Sequence, residues 1–168
     1  MAISIITAWW FLPFVLPICF YVAFTDLSEM RITNQSVIAL ALVFVIIGLI
    51  ALPLPEYGGR LLQMVAILVI GIVLNAAGAM GAGDAKFAAA AAPFIDPQDL
   101  RILIVVFAAN LLAAYVTHRG AKYTPLRRYA PDWKSWDAGK KFPMGLALGG
   151  TLGAYLILGG GLWAVLEG

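Results

Sequence analysis

Histidine and cysteine occur once each in the 168 residues, as His118 and Cys19, and only 12% of the side chains are charged. One cysteine cannot close an intrachain disulfide, and this pair cannot supply a cysteine- or histidine-based zinc site. Cys19 lies inside an apolar run and reads as a small packing residue. A Ser-His-Asp triad would have to recruit His118, and Ser4, Ser28, Ser36 and Ser135 have no nucleophile motif around them. The segment Gly81-Ala82-Gly83 lacks the glycine count, the Lys-Ser/Thr ending and the preceding strand of a phosphate-binding loop. A net charge of +2 gives no reason to expect a nucleic-acid partner.

What the chain has instead is apolar side chains, at 62% of residues with a mean hydropathy of +0.93. Soluble domains are roughly half apolar and a quarter charged, so the composition is that of an integral membrane protein. Cutting the chain at its charged residues leaves uncharged runs at 1–25, 32–55, 61–83, 87–95, 102–117 and 142–166. A spanning helix needs about 20 apolar residues. Runs 1–25, 32–55, 61–83 and 142–166 suffice unaided, and 102–117 does so by borrowing its flanks. Run 87–95 either crosses as a short helix or enters and returns on the same side.

Charge distribution favours the crossing. With six spans, the connections near 26–31, 84–86 and 118–141 share one face. That face holds Arg31, Lys86, Arg119, Lys122, Arg127, Arg128, Lys134, Lys140 and Lys141, leaving only Arg60 and Arg101 opposite. Such a bias marks the cytoplasmic side. The expected fold is an all-α, six-helix transmembrane bundle over residues 1–168, a single domain with a short fourth helix and both termini periplasmic. Met1 to Thr25 carries no Lys or Arg and is longer than a signal-peptide core, so it is expected to be retained as the first helix, bent at Pro13 and Pro17.

The basic segment 118–141 interleaves Tyr123, Tyr129, Trp133 and Trp136 with Lys and Arg, which suits a loop at lipid headgroups. His118 is expected at the same interface, and Arg31 against lipid phosphates. Gly145, Gly149 and Gly153 recur every four residues, and Ala88 to Ala92 are all alanine, so both segments invite close helix approach. Asn34 is expected to cap the second helix, and Gln63, Asn75 and Asn110 to bond between helices.

Against this background two acids stand out, Asp26 at the end of the first run and Asp84 in Gly81-Ala82-Gly83-Asp84-Ala85-Lys86. Acids at membrane depth are costly and usually line a functional cavity. Singly, Asp84 reads as a helix cap and Asp26 as a boundary marker. Together, a pair of aspartates can share a proton, one taking a proton from water while the other hydrogen-bonds the carbonyl under attack. That chemistry needs no metal or cofactor. Gly81 and Gly83 are expected to give the backbone freedom beside Asp84. Lys86 is either a positive-inside anchor or a partner that holds Asp84 ionised or binds a substrate carbonyl. Two other readings use the same acids. A proton- or ion-coupled transporter would place them near the midplane, and a non-catalytic assembly component would not need them.

At these residues the chain resembles the bacterial type IV prepilin peptidases, membrane aspartyl proteases with a Gly-x-Gly-Asp motif. Gly81-Ala82-Gly83-Asp84-Ala85-Lys86-Phe87 is similar to the family's GxGDxK followed by an apolar residue. Asp26 with Arg31-Ile32-Thr33-Asn34 resembles an Asp followed by a basic residue and Ile-Pro-Asn, with Thr33 in place of Pro. Phe142-Pro143-Met144-Gly145 resembles the Pro-Phe-Gly that opens the last helix, with Met144 in place of Phe. Larger family members carry a cytoplasmic region with paired CxxC motifs and methylate the trimmed pilin, and this chain has one cysteine and no such region. The resemblance is therefore closest to the short, peptidase-only Tad/Cpa-type members. It implies an inner-membrane endopeptidase whose dyad, Asp26 and Asp84, removes the cytoplasmic leader of an Flp-type prepilin at the membrane's inner edge, the partners being that prepilin and lipid. The sequence does not fix which acid is the base; the positive N-terminal end of the fourth helix should favour ionised Asp84, while Asp26 at a helix C-terminus should hold the proton longer.

Overall fold

The computed structural model describes residues 1–139 and 142–162. Six helices account for most of them: α1 (Ile5–Glu29), α2 (Asn34–Ala51), α3 (Leu54–Ala76), α4 (Ala82–Ala91), α5 (Leu100–Lys122) and α6 (Met144–Ile157). Single 3-10 turns follow α4 at Ala92–Phe94 and Pro97–Asp99, and others fold the connection to α6 at Pro125–Tyr129 and Lys134–Asp137. No strand occurs among the described residues. All but α4 belong to segments long and apolar enough to cross a bilayer.

Local chemistry sets the boundaries. Ser4 starts α1 by accepting a hydrogen bond from the Thr7 N–H at 3.1 Å. The helix continues through Pro13 and Pro17 and stops at Met30, whose φ of 57° is left-handed and whose N–H returns to the Asp26 carbonyl. A non-glycine residue there costs on the order of 1 kcal/mol, and it makes the sharp reversal after which Ile32 packs beside Gly83 of α4. The cap of α2 is Thr33, which accepts from the Ser36 N–H at 3.3 Å, and not Asn34. Threonine's hydroxyl sits one residue earlier, where the free N–H groups of the first turn converge. Pro53 precedes α3, where its missing N–H costs nothing.

The fourth helix is short, as the composition suggests. With its 3-10 continuation it runs from Ala82 to Phe94, about 20 Å against a hydrocarbon core of about 30 Å. Its two ends nevertheless lie at opposite ends of the bundle, because it runs antiparallel along α3. A Cβ at Gly71 would lie 3.0 Å from that of Ala85. Further along, Gln63 donates to the Ala92 carbonyl at 2.9 Å, and Arg60 meets Asp96 at 2.6 Å. The far end gathers Ala2, Arg60, Asp96 and Asp99, and Gly159 beside Ile3. The near end gathers Asp26 beside Gly145, Lys86 beside Asn34, and Phe24 beside Trp133.

Packing follows the small residues. Along α6, a Cβ at Gly145, Gly149 or Gly153 would meet the Asp26 side chain at 2.8 Å, the Cys19 carbonyl at 2.9 Å or Leu16 at 3.2 Å, so the glycine stripe lies directly on α1. Ala89, Ala90, Ala91 and Ala92 are buried among the neighbouring helices, whereas Ala82 and Lys86 at the start of α4 are exposed. Phe11, Phe44 and Phe94 form an aromatic centre, with Phe94 edge-on to both others at 4.8 and 5.3 Å.

Several polar expectations change. Of the three amides, only Gln63 bonds between helices, since Asn75 donates to the Met80 carbonyl in the following turn and Asn110 to Val106 within α5. Arg31 pairs with Glu29 at 2.6 Å on the surface. His118 is 6% exposed rather than interfacial. It stacks on Trp136 with ring centroids 4.9 Å apart and meets Phe142 edge-on at 5.8 Å. Trp136 is buried too, so the loop's aromatic residues divide: Tyr123 and Tyr129 face outward, whereas Trp136 folds inward to carry α5 toward α6. Lys140 and Lys141, expected on the basic face, lie outside the described residues.

Candidate active site

Asp26 occupies the last turn of α1 and is 6% exposed. Its Oδ2 accepts a hydrogen bond of 2.5 Å from the backbone N–H of Gly145. Gly145 is the second residue of α6, so this N–H is one of the four that a helix leaves unpaired at its start. The contact requires glycine for space, because a Cβ there would sit 2.8 Å from the Asp26 Cβ and 2.9 Å from Oδ2. Pro143 immediately before α6 fixes the direction from which the helix starts.

Asp84 lies in the first turn of α4, three residues after the cap position Gly81, and is half-buried. Its carboxylate folds back over that cap, with Oδ2 2.8 Å from where a Gly81 Cβ would be. Gly83 faces the turn between α1 and α2, and a Cβ there would come within 3.3 Å of Ile32. Gly81 has φ −64° and ψ 143°, and Gly83 also avoids the left-handed region. The expected reason for these glycines is therefore corrected: they make room for Asp84 and for Ile32 rather than supplying unusual backbone angles. The positive φ in this connection belongs to Gly78, at 74°.

Lys86 does not reach Asp84. Its Nζ donates to Asn34 Oδ1 at 3.0 Å on the exposed surface, tying the start of α4 to the start of α2. Among the described residues Asp84 makes no salt bridge and accepts no side-chain hydrogen bond, and Asp26 has only the Gly145 N–H. The two carboxyl groups are within Coulombic range of one another. They come from helices separated by two others in sequence, and α6 packs against both of those helices. Asp26 thus faces the N-terminal end of α6 as Asp84 faces that of α4. Asp26 nevertheless remains in the last turn of α1, so the Gly145 N–H reduces the difference between a helix start and a helix end without removing it.

Sequence reasoning treated Gly145 as a packing residue. Its role as the hydrogen-bond donor to Asp26 was signalled only by the Phe142-Pro143-Met144-Gly145 motif, because spacing alone cannot tell a glycine that touches a helix from one that touches a carboxylate.

An arrangement of two acids at one end of a membrane bundle, neither held by a cation among the described residues, can handle protons at a water molecule or a bound carbonyl. No curated protein and no solved structure matches this sequence. The family described as type IV leader peptidases matches residues 5–117, which include both Asp26 and Asp84 and end before the aromatic loop and α6. That match covers well over half of the chain, and the chain belongs to the type IV leader peptidase family.

Proposed function

We propose that this protein is an aspartic endopeptidase of the bacterial inner membrane that removes the cytoplasmic leader of an Flp-type prepilin, with Asp26 and Asp84 as its catalytic pair. Family membership implies a protease with a prepilin substrate. The observation that carries the finer reading is that the two membrane acids of the matched segment share one end of the bundle without a cationic partner among the described residues. The same end carries Arg31, Lys86, Arg119, Lys122, Arg127, Arg128 and Lys134, which supports its assignment to the cytoplasmic face.

In this reading the ionised member of the pair takes a proton from a water molecule, whose oxygen attacks the scissile carbonyl carbon. The protonated member donates to the carbonyl oxygen. Collapse of the tetrahedral intermediate breaks the C–N bond and returns a proton to the leaving amine. The Gly145 N–H holds Asp26 in place, and Gly81 gives the Asp84 carboxylate its room. The edge position of both acids suits a cut beside the membrane and not a relay through its middle.

Co-expression with an Flp-type prepilin tests this directly. Leader removal is expected from the wild type and lost in Asp26→Asn and in Asp84→Asn, and processing that survives either change rejects the pair. A reporter fused after Lys122 is expected to report the cytoplasm.

A further inference from the structure

Three rings from the end of α5 and the connection to α6 stand in one column beside the acid site. His118, Trp136 and Trp133 lie face to face, with successive centroids 4.9 and 5.6 Å apart and planes within 17° of parallel. The spacing has a local cause. Trp133 caps the 3-10 turn Lys134–Asp137, and three residues per turn set the side chains at i and i+3 over one another. Trp136 is fixed further by its indole N–H, which donates to the Ala130 carbonyl at 2.7 Å.

The ends of this column touch the two segments that the Asp26 hydrogen bond joins. At one end Trp133 meets Phe24 of α1 edge-on at 6.1 Å, and Phe24 lies two residues before Asp26. At the other, His118 meets Phe142 edge-on at 5.8 Å, and Phe142 lies three residues before Gly145, the donor to Asp26. Tyr115, one turn before His118 on α5, holds Phe142 as well, at 5.8 Å. The start of α6 has no side-chain cap of its own, so its place depends on what packs against it.

His118 enters this column as a flat ring and nothing more. It is buried, and neither ring nitrogen has a hydrogen-bond partner among the described residues. An imidazole that moves protons needs a donor, an acceptor or water at one of those nitrogens.

We propose that His118, Trp136 and Trp133 are positioning residues for Asp26: their column, set between Phe24 and Phe142, holds the last turn of α1 and the first turn of α6 at the separation that the Gly145–Asp26 hydrogen bond requires. This rests on the leader-peptidase reading above. It gives the aromatic segment, which lies beyond the residues matched by the family, a part in the rate of cleavage and not in docking the substrate.

Leader-cleavage kinetics on the full chain, expressed per folded molecule, test this. His118→Ala removes one ring and is expected to lower kcat roughly tenfold with KM within about twofold, because a displaced carboxyl loses rate without losing substrate contacts. His118→Phe restores a ring without nitrogens and is expected to keep kcat within about threefold of wild type. Trp133→Ala, at the half-buried end of the column, carries the same test should His118→Ala not fold, with kcat expected to fall roughly fivefold and to recover in Trp133→Phe. Tyr129→Ala, exposed and outside the column, is expected to change neither constant. A raised KM with kcat intact would make the segment a docking loop, and a loss in His118→Phe equal to that in His118→Ala would put the imidazole nitrogens into the chemistry. Either result overturns the assignment, as does wild-type kcat in Trp133→Ala. Failure of the underlying peptidase reading is distinguishable, because the wild type would then leave the leader uncut.

Discussion

The two ends of the bundle use the same side chains for opposite purposes. At the far end, Asp99 is 2% exposed and fully engaged, accepting from the N–H groups of Ala2 and Ile3 at 2.7 and 3.1 Å and from the Tyr155 hydroxyl at 2.8 Å. Tyr155 in turn accepts from the Asp96 N–H, and Asp96 and Glu56 share Arg60, which also donates to the Ile95 carbonyl. At the near end Asp26 has one backbone donor, and Asp84 has none among the described side-chain contacts. A buried carboxylate with several donors, as at Asp99, or with a cation, as at Asp96, is a structural fixture, and its charge is already spent on neighbours. One with few partners keeps its capacity for water and substrate. Burial alone would have ranked Asp99 above Asp26 as a catalytic candidate, and partner counting reverses that order.

The contrast can be broken most severely at the acids themselves. Asp26→Asn and Asp84→Asn are each expected to lower kcat/KM on the order of 10³-fold or more, and the double variant no further, since the two act as a unit. Leader-cleavage kinetics on purified protein measure this, and additive losses would separate the two roles. Next in size is Arg60→Met, which strands Asp96 and Glu56 and is expected to cost about 3 kcal/mol in thermal unfolding, while the folded fraction keeps its turnover.

A finer comparison uses α6 and the π-helical turn Leu158–Leu162 that follows it, which together touch both ends. In Gly145→Ala and Gly159→Ala the new Cβ meets Asp26 at 2.8 Å and Ile3 at 2.6 Å respectively, and each change is expected to destabilise by roughly 1–3 kcal/mol. Only the first should lower kcat, so a matched loss in both would place the effect in folding instead of at Asp26. Asp99→Asn is expected to cost about 1–2 kcal/mol without changing turnover per folded molecule, because the amide oxygen retains part of the acceptor role. The smallest effect belongs to Lys86→Ala, whose exposed contact with Asn34 is worth less than about 1 kcal/mol, with cleavage within about twofold of wild type.

Much of this was legible in the chain because apolar run lengths, glycine spacing and rare charges are strong signals in a membrane protein. The long helices, the short α4 and the α6 glycine stripe could all be read from it, as could the two acids that fall at one end of the bundle. What escaped was anything decided by which side chain reaches which. Asn34 and Thr33 are both good caps, and only the backbone geometry assigns the work to Thr33. His118 follows a long apolar run and precedes Arg119, a pattern typical of an interface, yet Trp136 and Phe142 return through the loop to cover it. Lys86 lies two residues from Asp84, but on a helix that spacing turns the two side chains to different faces. The far-end network was invisible for the same reason: Ala2, Asp99 and Tyr155 are joined across most of the chain's length.

The hydrogen bond from Gly145 to Asp26 has a further consequence. Its donor is main chain, so no replacement except proline deletes it, and the other demand on that position is the absence of bulk. Sequences that diverge along the rest of α6 can keep the donor intact, provided one residue stays small and the proline before the helix keeps its aim. Conservation in distant relatives should therefore gather on a pair of positions near the start of that helix, leaving its remaining surface free to drift with the lipids and neighbours it meets.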